Sequence, residues 1–353
     1  AVAAFAAPKP DDGDPKQLVP FSYDVPSAID ANDIHIRITH CGVCHSDVHQ
    51  VDSDWIPAAK QLRPMVPGHE IIGVITEVGP SVDRRRFAVG GRVGVGPVVG
   101  SCGKCESCLA SEEQYCSKAV DCYQGIRPSG ARTFGGFASH LRVCSTFSHP
   151  IPSALPSDAA APLLCAGITV WSPLKRFGRP GCTVGVVGIG GLGHLAIQFA
   201  SKLGYRTVAF TSSADKCQQA RGFGAHVVVN TKDRQDMNGA KRSVDVMLFT
   251  ASASVKWGLY LALLRTGGTL CLVGLPPDEM NIKPMALTRK ISVSGCFLGS
   301  PAEMDEMLAF AAAHGVQPAI EKLPMAECNQ ALARVRQGQP RYRCVLFNPE
   351  AKM

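Results

Sequence analysis

Four cysteines form the densest group of potential metal ligands in this chain of 353 residues, and their spacing is C-x2-C-x2-C-x7-C. They are Cys102, Cys105, Cys108 and Cys116. Four thiolates complete the tetrahedral shell of a zinc ion and leave no position for a reactant, so the pattern predicts a structural metal site. An iron–sulfur cluster and unligated cysteines are the alternatives. Zinc is favoured because a second Cys/His group and a nucleotide-binding motif accompany the cluster.

A second group of ligand residue types comes from three separate parts of the chain: Cys44, His69 and Cys165. Two thiolates and one imidazole leave the fourth position of a zinc ion open for water or substrate, which is the composition of a catalytic site. Zinc metalloproteases use another pattern, with two histidines four residues apart on one helix. The residues after His69 lack that second histidine, so a protease is not predicted.

A glycine-rich segment predicts a dinucleotide site. It has the form G-x-G-x-x-G, which is weak evidence alone, but it follows a predicted strand over 183–187 and opens a predicted helix over 192–203. Its glycines would let the backbone approach a pyrophosphate at the helix N-terminus. The predicted cofactor contacts are Gly188, Gly190, Gly191, Leu192 and Gly193, with Thr250, Val273 and Gly274 near the ends of later strands.

The end of the next predicted strand bears on the choice between the two nicotinamide cofactors. An NAD site usually has an acid here for the ribose 2′-hydroxyl, but this chain has Thr211, followed by Ser212, Ser213 and Lys216. Hydroxyl groups and a cation suit a 2′-phosphate. Asp215 lies farther on, where the first turn of a helix favours an acid. The pattern therefore predicts NADP(H) in preference to NAD(H).

Composition and charge exclude several classes of protein. The hydrophobic fraction of 46% and the charged fraction of 18% are typical of a globular protein. The net charge is +7, but the basic residues are scattered, so nucleic acid is not a predicted partner. Fifteen cysteines without a secretory signal predict a reducing cytoplasm. The apolar stretch 182–200 contains five glycines and divides into a strand and a helix, so no membrane span is predicted.

The order of predicted elements indicates two domains and the α/β class. Up to about residue 150 the chain has short apolar runs with glycine and proline, including predicted strands over 34–38, 71–78 and 92–99. Strands then alternate with helices, which predicts a doubly wound parallel sheet. Its strands are expected over 183–187, 207–210, 226–229, 245–249, 269–273 and 291–294.

The last part of the chain is expected to return to the first domain. Ser300 and Glu303 form a capping box that opens a predicted helix to about residue 314. A final predicted strand over 341–347 has no place in a six-stranded sheet. We therefore predict one domain from 1–153 and 298–353, and a nucleotide-binding domain from 154–297. The segment 9–18 is predicted to be a surface loop.

Together these motifs resemble the zinc-dependent medium-chain alcohol dehydrogenases, in particular the branch of cinnamyl alcohol dehydrogenases and NADPH-dependent aldehyde reductases. The resemblance covers nearly the whole chain. It implies a β-rich GroES-like catalytic domain with two zinc sites and a Rossmann domain that binds NADP(H). The motifs that carry it are GVCHSDVH at 42–49, VPGHE at 66–70, the cysteine cluster ending EQYC at 113–116, PLLCAGIT at 162–169 and VGIGGLGH at 187–194.

The resemblance also implies a role for each matching residue. Cys44, His69 and Cys165 match the catalytic zinc ligands, and Glu70 matches a glutamate that can approach this zinc transiently. The remaining matches are Asp47 as the carboxylate that orients the ligand histidine, Ser46 and His49 as a proton relay, His45 and Thr169 as cofactor contacts, and Trp55 and Pro97 as substrate-pocket residues.

The implied reaction is the reversible reduction of aldehydes to primary alcohols. Zinc polarises the carbonyl, NADPH supplies hydride, and the proton passes through Ser46, a ribose hydroxyl and His49. An NAD-dependent alcohol oxidiser is the alternative within the same class. A zinc protein that binds NADPH and senses redox state without turnover is the alternative from another class. The expected assembly is a homodimer in which the last strands of the nucleotide-binding domains pair.

Overall fold

The computed structural model describes residues 1–25 and 28–351. It divides into two compact units. The first unit comprises residues 1–165, 300–313 and 317–353, and the second comprises 166–299 and 314–316. The division therefore falls at residues 165/166 and 299/300, where the sequence predicted 153/154 and 297/298.

The elements are numbered along the chain. The strands are β1 (Val2–Ala6), β2 (Val19–Tyr23), β3 (Asp33–Val43), β4 (Glu70–Val78), β5 (Arg92–Val95), β6 (Val98–Gly100), β7 (Val120–Asp121), β8 (His140–Cys144), β9 (His149–Pro150), β10 (Thr183–Val187), β11 (Arg206–Thr211), β12 (Val227–Asn230), β13 (Val244–Phe249), β14 (Leu264–Leu272), β15 (Ser292–Gly295), β16 (Ile320–Pro324) and β17 (Arg343–Phe347).

The helices are α1 (His45–Asp52), α2 (Glu106–Leu109), α3 (Ser157–Ala160), α4 (Ala166–Phe177), α5 (Gly193–Lys202), α6 (Asp215–Gly222), α7 (Arg234–Gly239), α8 (Trp257–Leu261), α9 (Pro301–His314) and α10 (Cys328–Arg336). Short 3-10 turns cover Pro10–Asp12, Ala58–Lys60, Glu113–Tyr115, Ser145–Phe147, Ala161–Leu164, Pro284–Leu287 and Met325–Glu327.

The second unit is built on a six-stranded parallel sheet in the order β12-β11-β10-β13-β14-β15. This is the doubly wound order of a dinucleotide-binding fold. Every residue of β10 is buried, as expected for a central strand covered on both faces. The sequence predicted these strands and the helix after β10. The structure confirms that the apolar stretch 182–200 contains a strand followed by the start of a helix. Among the described residues, no helix is both long and apolar enough to cross a bilayer.

The first unit contains a seven-stranded sheet in the order β16-β17-β3-β4-β5-β9, with β8 pairing on β3. In β3, Ile34, Ile36 and Ile38 are fully buried and belong to the apolar core, because alternate residues of a strand face the same side. The final strand β17 pairs antiparallel with β3, which confirms its predicted return. The capping box is also present, since Ser300 N donates to Glu303 (2.9 Å) and Glu303 N donates to the Ser300 hydroxyl (3.2 Å).

One predicted strand is wrong. Residues 92–99 form two elements, because β5 belongs to the large sheet whereas β6 forms a separate two-stranded sheet with β7. Gly96 and Pro97 separate them, and proline has no N–H to donate to a ladder. A side chain at Gly96 would meet the Leu164 carbonyl oxygen at 3.0 Å. The break therefore turns the chain out of the sheet toward the metal-binding cysteines.

The segment 9–18 is largely exposed, but it is fastened at several points. Arg63 is buried and donates to the carbonyl oxygens of Pro8 (3.1 Å) and Pro15 (2.8 Å). Leu18 is buried, and its backbone exchanges two hydrogen bonds with the Asn329 amide (2.9 and 2.8 Å). The predicted surface loop is therefore held to the first unit at both of its ends.

Candidate active site and zinc sites

The first metal ligand lies where β3 passes into α1. Cys44 is the N-cap of α1, and its backbone N–H donates to Asp47 Oδ2 at 2.9 Å. This is a capping box in which an aspartate takes the place usually held by glutamate or glutamine. The spacing of three residues between Cys44 and Asp47 therefore caps the helix and also places the Asp47 carboxylate close to Cys44.

Four potential ligands meet here: one ligand atom from each of Cys44, His69, Glu70 and Cys165 lies within 4.8 Å of the others. The Cys44 and Cys165 sulfur atoms are 4.0 Å apart. Two sulfurs bound to one zinc ion at about 2.3 Å and a tetrahedral angle would lie about 3.8 Å apart. The spacing and the donor types therefore fit a zinc ion.

The orientation of His69 is fixed by a hydrogen bond to one of its two ring nitrogens. Its Nδ1 bonds Asp47 Oδ1 at 3.0 Å, and Asp47 is fully buried. A carboxylate that accepts a hydrogen bond from Nδ1–H leaves Nε2 as the metal-binding atom. The same oxygen accepts from Gly68 N at 2.9 Å and from the Tyr123 hydroxyl at 2.8 Å. Asp47 is thus held by four donors, counting the backbone of Cys44.

Glu70 is oriented by a residue from the far end of the chain. Arg343 in β17 donates to Glu70 Oε1, while Glu70 Oε2 is buried and has no hydrogen-bond partner in residues 1–25 and 28–351. Burial raises the pKa of Glu70 to about 7, although the Arg343 guanidinium opposes the shift. A carboxylate with one paired oxygen and one unpaired oxygen beside the thiolates can serve as an additional metal ligand.

The two thiols of this group are electrostatically unequal. A hydrogen bond shared with Cys165 and another with His69 lower the pKa of Cys44 well below its usual value, although burial opposes the shift. The thiolate is the form of cysteine that binds metals. Cys44 is therefore the member of the pair that favours ionisation.

The cysteine cluster of the loop around α2 forms a second compact group: the four sulfur atoms of Cys102, Cys105, Cys108 and Cys116 lie within 4.8 Å of one another. The Cys102 and Cys108 sulfurs are 3.9 Å apart, and those of Cys105 and Cys108 are 3.5 Å apart. Backbone amides of Lys104 and Cys105 lower the pKa of Cys102 to about 6. Four sulfurs at tetrahedral spacing fit a closed zinc site.

The relay candidates lie on the first two turns of α1. The Ser46 hydroxyl is 3.6 Å from the Cys44 sulfur, so it borders the metal group. His49 stacks on Trp55 with ring centroids 4.7 Å apart, and its Nδ1 bonds Asp54 Oδ2 at 2.9 Å. Within residues 1–25 and 28–351, no direct hydrogen bond joins Ser46 to His49.

His45 and the substrate-pocket candidates are more exposed. The His45 ring is 5.0 Å from that of His49, and burial followed by the charge of His49 lowers the pKa of His45. Trp55 is 44% exposed. Pro97 is half-buried, and its carbonyl oxygen accepts from Cys122 N at 2.7 Å. Thr169 is in the first turn of α4 and is buried in the second unit.

The glycine-rich loop of the second unit connects β10 to α5. Gly188 has φ of 87°, a conformation that other residues rarely adopt. A side chain at Gly193 would meet the Gly188 carbonyl oxygen at 1.9 Å, so only glycine permits this turn. Gly190 and Gly191 lie between them, and Leu192 is the N-cap of α5. The loop and the helix N-terminus fit a pyrophosphate.

Residues from two neighbouring strand ends support this loop. The Thr250 hydroxyl is 2.9 Å from both the Val187 and the Gly188 carbonyl oxygens. Val273 N and Gly274 N both donate to the Phe249 carbonyl oxygen, at 3.1 and 2.9 Å. The topology thus brings all three predicted residues to the carboxyl edge of the sheet.

The end of β11 places its polar residues beside the same loop. Lys216 Nζ donates to the Ile189 carbonyl oxygen at 2.9 Å. Thr211 is buried at the strand end and accepts from Ser213 N at 3.2 Å. Ser212 is exposed, and the Ser213 hydroxyl bonds Asp215 in the first turn of α6. Lys216 therefore presents its charge close to the predicted cofactor loop.

Sequence reasoning missed two residues of the metal group, Tyr123 and Arg343. A signal existed for Arg343, since an arginine opening the apolar run RCVLF needs a buried partner. Tyr123 has no such signal, because a tyrosine near a strand is more often an ordinary packing residue.

A GroES-like β unit with these two groups and a doubly wound unit with a glycine-rich turn define a zinc-dependent dehydrogenase. Comparison with known families agrees. Residues 30–153 match the alcohol dehydrogenase GroES-like domain, and residues 191–313 match the zinc-binding dehydrogenase family. A probable cinnamyl alcohol dehydrogenase from Oryza sativa subsp. japonica is 40% identical over 333 residues, which are 93% of this chain and 89% of the relative.

Two solved structures are also similar over their whole length. A cinnamyl alcohol dehydrogenase from Sorghum bicolor is 37% identical with a TM-score of 0.91, covering 100% of this chain and 99% of the relative. The Helicobacter pylori cinnamyl alcohol dehydrogenase complexed with NADP(H) is 31% identical with a TM-score of 0.88, covering 99% of both chains. The chain therefore belongs to the zinc-binding alcohol dehydrogenase family. This confirms the predicted family, the GroES-like plus Rossmann fold and the class of zinc-dependent alcohol and aldehyde oxidoreductases.

Proposed function

We propose that this protein reduces aldehydes, aromatic and aliphatic, to primary alcohols with NADPH, reversibly and at a zinc site. The observation that carries the proposal is the group of Cys44, His69 and Cys165, which offers three zinc ligands of the catalytic type. Glu70, the fourth member, is paired with Arg343. A fourth coordination position is thus available for a substrate oxygen.

A bound zinc ion would polarise the carbonyl group as a Lewis acid, and NADPH would supply the hydride. The protein's part is to keep the ligand set fixed. Asp47 orients His69 through Nδ1, and Arg343 keeps one oxygen of Glu70 occupied. The unpaired oxygen of Glu70 supports the proposal that this carboxylate approaches the metal transiently, for example while substrate and product exchange.

Proton transfer is assigned to α1. Ser46 borders the Cys44 sulfur and would give a proton to the developing alkoxide. His49 is the proposed second member, and its bond to Asp54 fixes the ring. The family resemblance implies that a ribose hydroxyl of the cofactor connects the two. Trp55, which is exposed, and Pro97, which is half-buried, are proposed to contact the substrate.

NADP(H) is the proposed cofactor, because Lys216 lies beside the glycine-rich loop and the end of β11 carries hydroxyl groups. The NADP(H) complex of the Helicobacter pylori relative supports the same choice. Replacing Lys216 by alanine should raise the KM for NADPH at least tenfold and change that for NADH little. The exposed Lys241 of the same unit provides the control, since Lys241→Ala should change neither value.

A homodimer is the proposed assembly. Strand β15 is at the edge of its sheet, and exposed apolar side chains precede and follow it in the sequence, including Met285 (77%) and Phe297 (56%). An unpaired strand edge with apolar neighbours favours pairing with a second copy. Light scattering should give twice the mass of 37.4 kDa. Phe297→Asp should shift it toward the monomer, whereas Val89→Asp in the first unit should not. The proposed compartment is the cytoplasm, where thiols stay reduced.

The test of the activity is a panel of aldehydes and alcohols assayed with both cofactors on protein of measured zinc content. We expect two zinc ions per chain and oxidation of NADPH with benzaldehyde. Cys165→Ser should lower kcat/KM at least a thousandfold, whereas Cys328→Ser, which removes a buried thiol outside both groups, should not. A preference for NAD(H) would establish the alternative oxidiser. Zinc binding with no turnover of either cofactor would support a sensor.

A further inference from the structure

The first unit contains a cavity that the proposed reaction does not use. Its volume is 430 Å³, which is within the range of small-molecule sites. None of the metal-group or relay residues lines it. Its apolar wall includes Tyr23, Phe134, Val99, Leu141 and Val143. We call it the Tyr23 cavity.

Two arginines of this cavity have no acidic partner among the residues that the structure describes. Arg132 donates to the carbonyl oxygens of Arg63 (3.4 Å) and Pro64 (3.0 Å), and Arg142 donates to that of Ala28 (2.7 Å). Neutral carbonyl groups fix a guanidinium but do not cancel its charge. Within the described part of the chain, the Nε atoms of both arginines are buried and have no hydrogen-bond partner. Buried donors without partners are rare in folded proteins, so these two N–H groups indicate a missing acceptor.

The other charged groups of the cavity do not supply that acceptor. Arg127 is neutralised by the buried Asp33, at 2.7 Å. Asp24 and Asp30 also line the cavity, but both are exposed, and Asp24 is 93% exposed beside the N-terminal amine. Their negative charges are therefore screened by solvent, whereas the two Nε donors are not.

The apolar wall favours a flat ligand. The Tyr23 and Phe134 rings stack with their centroids 4.2 Å apart and their planes inclined by 25°. The Arg132 guanidinium is 5.4 Å from the centre of the Phe134 ring. The cavity thus presents an aromatic surface and a cation side by side. A planar molecule with an anionic end can contact both at once.

We propose that the Tyr23 cavity binds one small aromatic carboxylate per chain. The carboxylate pairs with the guanidinium groups of Arg132 and Arg142, and the ring packs against Tyr23 and Phe134. This site is independent of the proposed reaction, because it involves none of the residues assigned to catalysis.

The test is isothermal titration of the zinc-loaded enzyme with trans-cinnamate, alongside the neutral analogue trans-cinnamamide. Three variants are compared: Arg142→Gln, which removes one unpartnered donor; Ala131→Trp, which fills the cavity from its exposed rim; and Arg85→Gln, which removes an equal charge from a side chain that is 97% exposed. Cinnamate can also bind the catalytic zinc, so the variants decide where it binds.

We expect one saturable binding event that is weakened at least tenfold by Arg142→Gln and by Ala131→Trp and is unchanged by Arg85→Gln. The amide should bind at least tenfold more weakly than the carboxylate, because it has no negative charge to balance the two arginines. Aldehyde reduction by the variants should equal that of the wild type. The proposal is overturned if Ala131→Trp binds cinnamate as the wild type does, if the amide binds equally well, or if the wild type shows no binding. The amide comparison uses only wild-type protein, so equal binding of the acid and the amide overturns the proposal even if a variant fails to fold.

Discussion

Replacement of Tyr123 by phenylalanine tests how the metal ligand His69 is held. The Tyr123 hydroxyl donates to Asp47 Oδ1 at 2.8 Å, and this oxygen also contacts His69 Nδ1 at 3.0 Å and Gly68 N at 2.9 Å. Asp47 is fully buried, so the lost hydrogen bond cannot be replaced by water. A hydrogen bond to a charged group contributes about 1.5–3 kcal/mol. Because two other donors to this oxygen remain, we expect a loss of about 2 kcal/mol in the free energy of unfolding.

The same substitution should also weaken zinc binding. Groups that orient a metal-binding histidine typically change metal affinity about 10- to 100-fold when removed, which corresponds to about 1.4–2.7 kcal/mol. Chelator competition would measure the release of zinc from the site that contains His69. Zinc at the four-cysteine site would serve as an internal reference. The visible spectrum of the cobalt-substituted enzyme should also shift, because the His69 ring is less constrained.

Tyr205 provides the matched control. It is a buried tyrosine of the second unit whose hydroxyl donates to the Leu174 carbonyl oxygen at 3.5 Å. Tyr205→Phe should change neither zinc affinity nor the cobalt spectrum. If Tyr123→Phe releases zinc within twofold of the wild-type rate and leaves the spectrum unchanged, then the hydroxyl is only a packing group and the reasoning is wrong.

Three further outcomes are expected. Cys102→Ser should reduce the zinc content from two ions to one, as metal analysis would show, and should lower thermal stability, as calorimetry would show. A zinc content that stays at two ions would argue against a four-thiolate site. Arg343→Gln should lower the free energy of unfolding by about 3–5 kcal/mol, because it leaves the buried Glu70 without its cation; denaturation showing less than about 1 kcal/mol would contradict this. Burial opposes ionisation of Asp305, but the hydrogen bond and charge of His149 and the Arg86 guanidinium together outweigh burial and lower the pKa of Asp305 below 3.8. The stability from this pair should therefore be complete above about pH 4 and be lost on acidification below it. Asp305→Asn should remove that part of the acid dependence, as urea titrations at several pH values would show.

Much of the architecture follows from local patterns. The strand–glycine–helix motif, the six apolar strands and the Ser300–Glu303 capping box each specify their own element, so the sequence predicts the parallel sheet and α9. The split of residues 92–99 was not predictable from alternation, because apolar periodicity continues through Gly96 and Pro97. There the proline and the close approach of Leu164 decide the chain path.

The candidate site was predictable only where residue type implies chemistry. Cysteines and a histidine predict a metal group, and Asp47 lies three residues after Cys44, which is the spacing of a capping box. The residues that orient these ligands cannot be predicted in this way, because their roles depend on tertiary contacts. Arg343 is 273 positions from Glu70, and the reach of Lys216 to the Ile189 carbonyl oxygen depends on how α6 leaves its strand.

The discontinuity of the first unit has a consequence for the order of events during translation. Residues 166–299 form nearly all of the second unit, so that unit can fold while the ribosome is still adding the remainder of the chain. Strand β17, which supplies the guanidinium for Glu70, is synthesised only after residues 166–299 have been made. A nascent chain that lacks β17 would therefore hold Cys44, His69, Glu70 and Cys165 without this cation, and metal loading is best completed once β17 has been added.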